Sequence, residues 1–411
     1  MDTTLELQSR FAEFKSRGFQ IDMTRGVPSK EQLALSAPML RIVETMSGAI
    51  DCLNYGSLEG LPVARQFFAD YLGTVAAETI IGGNSSLALM HDVVAHAHTL
   101  GMPGDDVGLW KGQCAFLCPS PGYDRHHTVC ESLGIMMIPI RMTSEGPHME
   151  DVLRHVKNPL VVGIWCTPYY HNPTGETYSD AVVSQLASMK TANGGFRIFW
   201  DMAYAVHHLT EQPAQLLDIR AECQKYGNED RVFQFASTSK ITWAGSGICA
   251  MSTSPRNLAW FHQWLFAQTI GNDKLNQLRH VLFLKDMDGV RAHMARHRAI
   301  LRPKFDAVER VLFAEFGRGG AATWTTPRGG YFVTLRLEDS CAKRTVELCA
   351  QLGIKATRAG ATHPYSRDFE DRTIRLAPTC LSVENVEAST TAVALSAKCA
   401  AMELREKRML F

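Results

Sequence analysis

Lys240 ends the stretch Phe235-Ala236-Ser237-Thr238-Ser239-Lys240, where a β-prone run (232–235) gives way to small, hydroxylic residues and then one lysine. No second charge adjoins it, and an apolar, Gly-rich segment (241–250) follows. A lysine that can be desolvated has a lowered pKa and becomes an amine nucleophile, of the kind that forms Schiff bases with carbonyl compounds. Taken alone, the hexapeptide also fits a solvated lysine at a strand end. Asp201 closes an apolar strand (196–200) and stands 39 residues earlier. Ligands of open α/β sheets sit outside the carboxyl ends of strands, and a carboxylate there is costly unless a cation meets it. A protonated ring nitrogen would serve, although an N-cap for the following segment explains the residue as well.

Tyr204 follows Asp201 by three residues, and Asn172 lies in His171-Asn172-Pro173-Thr174-Gly175 after another apolar strand. The second string is also an ordinary turn. An Asn and a Tyr at strand ends can nevertheless bond one phenolate oxygen jointly. Gly83-Asn84-Ser85-Ser86 opens a helix after a strand, so free N–H groups, a helix dipole and hydroxyls suit a phosphate. Neither GxGxxG nor GxxxxGK[ST] occurs, which counts against dinucleotide and P-loop sites. Ser237-x-x-Lys240 matches the SxxK of penicillin-recognising serine enzymes, but the SDN and KTG partners are missing.

The elements that must hold these residues alternate. From residue 80 to 252, short apolar or β-branched runs (114–118, 135–140, 160–166, 197–201, 232–235, 248–251) are separated by helical segments. That alternation predicts an α/β domain in three layers, αβα, with a mainly parallel sheet. Residues 1–20 read as an amphipathic helix with Leu5, Phe11 and Phe14 near one face, and 62–72 as a helix entered by Pro62. Residues 255–317 lack strand signals and carry helical patterns over 255–269 and 290–316. Beyond them, β-rich 322–337, helical 345–352, a strand at 373–376 and a long helix over 383–407 predict a smaller α+β domain. The expected division is an N-terminal segment joining the small domain (1–50), a large domain (51–290) and a small C-terminal domain (291–411).

The 411 residues hold 42 Lys+Arg and 42 Asp+Glu, so no net field favours nucleic acid or an anionic membrane. Eleven scattered cysteines make no CxxC pair, which removes the usual support for zinc or a dithiol and suits buried thiols in a reducing compartment. No metal site is expected. The first ten residues carry acids and no apolar core, and no uncharged apolar run reaches the ~18 residues of a membrane span. A cytoplasmic protein is the expectation.

Read in order, the chain presents Tyr55-x4-Gly60-Leu61-Pro62-x-x-Arg65, Gly83-Asn84-Ser85-Ser86, Pro121-Gly122-Tyr123, Asn172-Pro173-x-Gly175, Asp201-x-x-Tyr204, Ser237-x-x-Lys240 and Ile374-Arg375-Leu376. This series resembles the fold type I pyridoxal-phosphate enzymes, class I/II aminotransferases, over roughly residues 20–400. Its lysine segment (237–247) looks most like a bacterial aspartate aminotransferase subgroup, related also to the aminotransferase domains of MocR-type regulators. Such a regulator would carry a winged-helix DNA-binding domain, for which the residues before the matching region leave no room.

The resemblance implies pyridoxal 5'-phosphate as cofactor, held covalently by Lys240, which also moves the substrate α-proton. It implies that Asp201 keeps the pyridine nitrogen protonated, that Asn172 and Tyr204 bind the phenolic oxygen, and that Tyr123 stacks on the ring. Asn84, Ser85 and Ser237 would hold the phosphate, joined by Tyr55 from a neighbouring subunit, so a homodimer is implied. Arg375 would clamp the substrate α-carboxylate beside Asn172, with Gly26 letting backbone close over the substrate. One position departs from the pattern: Ile248 stands eight residues after the lysine, where a phosphate-binding arginine is usual. Aspartate and 2-oxoglutarate are the implied substrates, exchanged by ping-pong chemistry. Arg25, Arg125 and the His126–His127 pair are candidates for the cation that a distal carboxylate needs. Transamination of alanine or aromatic amino acids, β-elimination, and a non-catalytic sensor are the competing readings.

Overall fold

The computed structural model describes residues 3–42, 52, 54–317 and 320–409. Its eight-stranded sheet runs in the order Thr79–Ile81, Cys249–Thr253, Val232–Ser237, Arg197–Asp201, Val161–Cys166, Ala115–Ser120, Met136–Thr143 and Gly146–Pro147. The five strands from Val232–Ser237 to Met136–Thr143 are mutually parallel, while Cys249–Thr253 is antiparallel to both neighbours. Residues 161–166, 197–201 and 232–237 are buried throughout, as expected of strands covered on both faces.

The two faces divide the strand side chains with a period of two. Ile198 and Trp200 join one apolar cluster with helices Pro62–Leu72, Asp180–Ser188 and Ile219–Lys225. Phe199, Phe233 and Phe235 join another with helices Ser86–Leu100 and Pro255–Gln268. The result is the three-layer αβα arrangement.

Chain order places the site. Ala115–Ser120 pairs with Met136–Thr143 on one side, and the next long strand, Val161–Cys166, crosses back to its other side. The strand order reverses there, and such a switch point leaves a crevice at the carboxyl ends of the two strands. Tyr123 follows the first of them and Asn172 the second.

The third apolar cluster gathers Leu7, Phe14 and Ile21 with Leu335, Leu348, Ile374 and Val393. It covers an antiparallel sheet of Ala322–Trp324, Val333–Leu337 and Thr373–Leu376. Ile21–Asp22 pairs in parallel with Ile354–Lys355, so the N-terminal segment joins this smaller unit. Helix Met287–Phe316 serves both cores: Val290 and Met294 belong to the large one, Leu301, Phe305 and Leu312 to the small one. The expected boundary at residue 50 lies outside the described residues. Among the described residues, no helix is long and apolar enough to cross a membrane.

Two expectations change. The first helix, Thr4–Ser16, turns Leu7 and Phe14 inward with Phe11 partly covered, whereas Leu5 is 79% exposed. The inward spacing is therefore 7, 11, 14, a true helical stripe. Helix Lys274–Leu284 is the second, since the sequence pattern does not announce it. Its inner face carries the polar Gln277 and His280, which blur the apolar period, although Asp273 caps it by accepting from Asn276 N at 2.9 Å.

Gly353 makes the turn into Ile354–Lys355, with φ +77° and no room for a Cβ, which would fall 1.8 Å from the Phe19 carbonyl oxygen. Gly353→Ala therefore combines backbone strain with a clash and is expected to cost about 2–4 kcal/mol. A denaturant titration should show a lower midpoint at unchanged slope; an unchanged midpoint would contradict this account of how the N-terminal segment is held.

Candidate active site

A cavity of about 290 Å³ opens at the carboxyl ends of the parallel strands. Asp201, the last residue of its strand, is buried beside it. The turn after the strand fixes the carboxylate, because Ala203 N donates to Oδ1 at 3.1 Å. His126 Nε2 lies 3.5 Å from Oδ2. The His126 ring stacks on Trp165 (4.4 Å, 10°) and meets the edge of Tyr123 at 4.9 Å. A buried carboxylate oriented in this way waits for a cation on its open side.

Lys240 supplies the amine. Its Nζ lies 4.9 Å from the centre of the Tyr204 ring. Burial lowers its pKa, and the charge of Asp201 works in the opposite direction. The lysine backbone is pinned independently of the side chain: Tyr331 OH donates to the Lys240 carbonyl at 3.3 Å, and His207 Nε2 lies 3.3 Å from the same oxygen. Burial drives the His207 pKa well down, so a neutral ring presents its N–H there. Burial raises the Tyr204 pKa well above its usual value, so the phenol stays protonated.

The N-terminus of helix Ser86–Leu100 forms one wall. Ser85 is its N-cap and accepts from Leu87 N at 3.2 Å. Ser85, Ser86, Ser237 and Ser239 all line the cavity, and Ser237 Oγ donates to Ser239 Oγ at 3.2 Å. Four hydroxyls around a helix N-terminus make an anion site. Asn84 does not join them through its side chain: it is exposed, with Nδ2 3.5 Å from the Gly245 carbonyl, and only its own carbonyl is used, accepting from Ser239. Ile248 is buried in the core, and its N–H donates to Thr238 Oγ1 at 3.0 Å. Among the residues lining the cavity, the cations are Lys240 and Arg25.

At the far end, strand Thr373–Leu376 presents Arg375, which is 8% exposed. Its Nη1 donates to Asn172 Oδ1 at 3.4 Å and to Asp124 Oδ1 at 3.2 Å, and the guanidinium lies 4.9 Å over the Phe332 ring. Its Nε is buried and makes no hydrogen bond. Gly26 presses on the same Phe332: a Cβ there would meet the ring at 2.3 Å. The adjacent Arg25 lines the cavity.

Of the residues expected from sequence, Ser85, Tyr123, Asn172, Asp201, Tyr204, Ser237 and Lys240 line the cavity together. Arg375 reaches it through Asn172, and Gly26 borders it through Phe332. Tyr55 does not line it and is 77% exposed. Two cation candidates are corrected. Arg125 is exposed on a separate shallow groove. His126 and His127 are buried; desolvation, with His126 nearby, lowers the His127 pKa to about 4, and neither ring lines the cavity. Ser86, already part of the helix-opening string, lines the cavity too, whereas Ser239 and Thr167 line it, and His207 and Tyr331 adjoin it at the Lys240 carbonyl, without having been given a role in the sequence. The Ser-x-Ser repeat before Lys240 is the one available signal: Ser237 ends its strand, and Ser239 lies in the turn that follows.

The set fits a planar phosphorylated pyridine aldehyde. It offers a carboxylate for a ring N–H, a phenol and an amide for a ring hydroxyl, an aromatic face, hydroxyls at a helix N-terminus and an amine. Among the described residues, no group of three or more His, Cys, Asp or Glu is placed to hold a metal ion.

Known proteins resemble this chain along almost its whole length. A family model described as aspartate amino-transferase matches residues 1–409. An aspartate aminotransferase of Corynebacterium glutamicum is 39% identical over 404 residues, covering 97% of this chain and 93% of the relative. The crystal structure of an aspartate transaminase from the same species has a TM-score of 0.94 at 38% identity, covering 97% and 95% of the two chains. The fold is also that of LysN, an α-aminoadipate aminotransferase from Thermus thermophilus solved with N-(5'-phosphopyridoxyl)-L-leucine, with a TM-score of 0.76 at 20% identity over 96% and 95%.

Proposed function

Since the chain belongs to the aspartate amino-transferase family and is an aminotransferase, we propose that it moves the amino group of aspartate to 2-oxoglutarate, using pyridoxal 5'-phosphate in a ping-pong cycle. The observation that carries this reading is the meeting of Lys240, Asp201, Tyr204 and the Asn172–Arg375 pair around one cavity. When bound, pyridoxal phosphate supplies an electron sink for the substrate Cα–H bond. Asp201 would hold the proton on the pyridine nitrogen, and Tyr204 would donate its phenol proton to the ring oxygen. Asn172 serves two partners at once, with Nδ2 free for that oxygen while Oδ1 accepts from Arg375. Ser85, Ser237 and Ser239 hold the phosphate, with the helix N-terminus in place of the usual arginine. Lys240 would hold the cofactor covalently, and its amine, when free, would take the substrate α-proton and return it.

Arg375 receives the α-carboxylate and Arg25 the distal one. The Arg25 side chain makes no hydrogen bond or ion pair with the described residues, so its donors are available. Exposed Tyr55 suits a homodimer in which each subunit completes the other's phosphate site. Eleven unpaired cysteines suit a reducing compartment such as the cytoplasm.

Steady-state rates with a panel of amino donors test the assignment. Arg25→Ala should raise the KM for aspartate and 2-oxoglutarate about tenfold, with a smaller effect on any monocarboxylate donor. Preferred turnover of alanine or an aromatic amino acid, or release of a β-substituent, would replace the aspartate reading.

A further inference from the structure

Arg375 already has an anionic partner. Asp124 begins helix Asp124–Ser132 in the large unit, directly after the ring-stacking Tyr123. Its Oδ1 accepts from Arg375 Nη1 at 3.2 Å, the same nitrogen that serves Asn172 Oδ1 at 3.4 Å. The two side chains differ in burial: Arg375 is 8% exposed and Asp124 36%. A guanidinium this buried is costly when uncompensated, and Asp124 compensates it. A partly exposed carboxylate in the first turn of a helix is also favoured by the helix N-terminus. Asp124 can therefore leave Arg375 without becoming stranded.

We propose that Asp124 is a resident competitor for the carboxylate subsite of Arg375. An arriving carboxylate that takes Nη1 must displace Asp124 or share that nitrogen, one held by the other guanidinium nitrogens still meets the Asp124 charge on the same group, and a departing one is replaced by Asp124. The residue therefore weakens the hold on both substrates and hastens release, which suits a cycle in which each oxo acid must leave before the next ligand enters. Asn172 and the Phe332 face keep Arg375 oriented when Asp124 moves. The inference rests on the α-carboxylate role given to Arg375 above.

Calorimetric titration of the holoenzyme with maleate, a dicarboxylate that cannot be transaminated, tests it. Asp124→Asn and Asp124→Ser should each bind maleate about five- to tenfold more tightly than the unaltered protein. Asp124→Glu keeps a competitor and should stay within about twofold. In the two neutral variants KM for aspartate and for 2-oxoglutarate should fall by more than kcat does. Unchanged or weaker maleate binding in both neutral variants would overturn the proposal and make Asp124 an orienting residue only. If the unaltered holoenzyme bound no mono- or dicarboxylate and transaminated no amino acid, the carboxylate role of Arg375 would fall first, and this proposal with it.

Discussion

Lys240→Ala is expected to lower kcat by about 10⁴-fold or more, because in the proposed cycle one residue would carry both the covalent tether and the proton transfer. Lys240→Arg should be as inactive although it keeps the positive charge, since a guanidinium does not give up its proton in this range. That contrast separates a chemical role from an electrostatic one. The fold should survive both changes. The Lys240 backbone is held through its carbonyl by Tyr331 and His207, so thermal or denaturant unfolding should move little. The lowered lysine pKa also fixes a sign: the neutral amine persists to lower pH than for an ordinary lysine, and the proton-transfer rate declines as pH falls through the lowered value. A Lys240→Arg protein with appreciable turnover would contradict the assignment.

Asp201→Asn is expected to cost about 10²- to 10³-fold in kcat, the size of effect seen when a preorganised charge is removed from where charge develops. The substitution is clean. An asparagine oxygen can still accept from Ala203 N, the bond that shapes the turn, so the carboxylate charge is lost and the backbone is kept. Without that charge beside His126, the proton on a bound pyridine nitrogen would no longer be held and the ring would withdraw electrons poorly. Cofactor affinity should weaken in parallel, measurable by equilibrium dialysis. Wild-type turnover from Asp201→Asn would show that the carboxylate is a turn residue and nothing more.

The site was legible where chemistry and element ends coincide. Asp201 ends a buried strand and Asn172 and Lys240 follow two others, and the alternation of strands and helices implies that the carboxyl ends gather at one edge. Tyr204 and Ser237 followed from their neighbours. What the sequence left obscure depends on long-range packing. Arg25 was one of several candidate cations in sequence, and what singles it out is its place on the cavity wall beside Gly26, which packs on Phe332 some 300 residues away in the chain. Asp124 looks like an ordinary first-turn acid until strand Thr373–Leu376 brings Arg375 to it. His126 and His127 read as cations in sequence, and burial reverses that for His127. Helix Lys274–Leu284 was hidden for a related reason: its buried polar residues are satisfied by distant partners, Gln277 by Leu61 N and His280 by Thr242.

The most direct measurement of the central claim is a visible absorbance titration of the purified protein loaded with pyridoxal 5'-phosphate. Aspartate added without any acceptor should shift the band in proportion to enzyme sites, and 2-oxoglutarate should restore it, while Lys240→Ala should show no such cycle. A loaded protein whose band ignores aspartate, or responds without being restored by 2-oxoglutarate, would contradict the account.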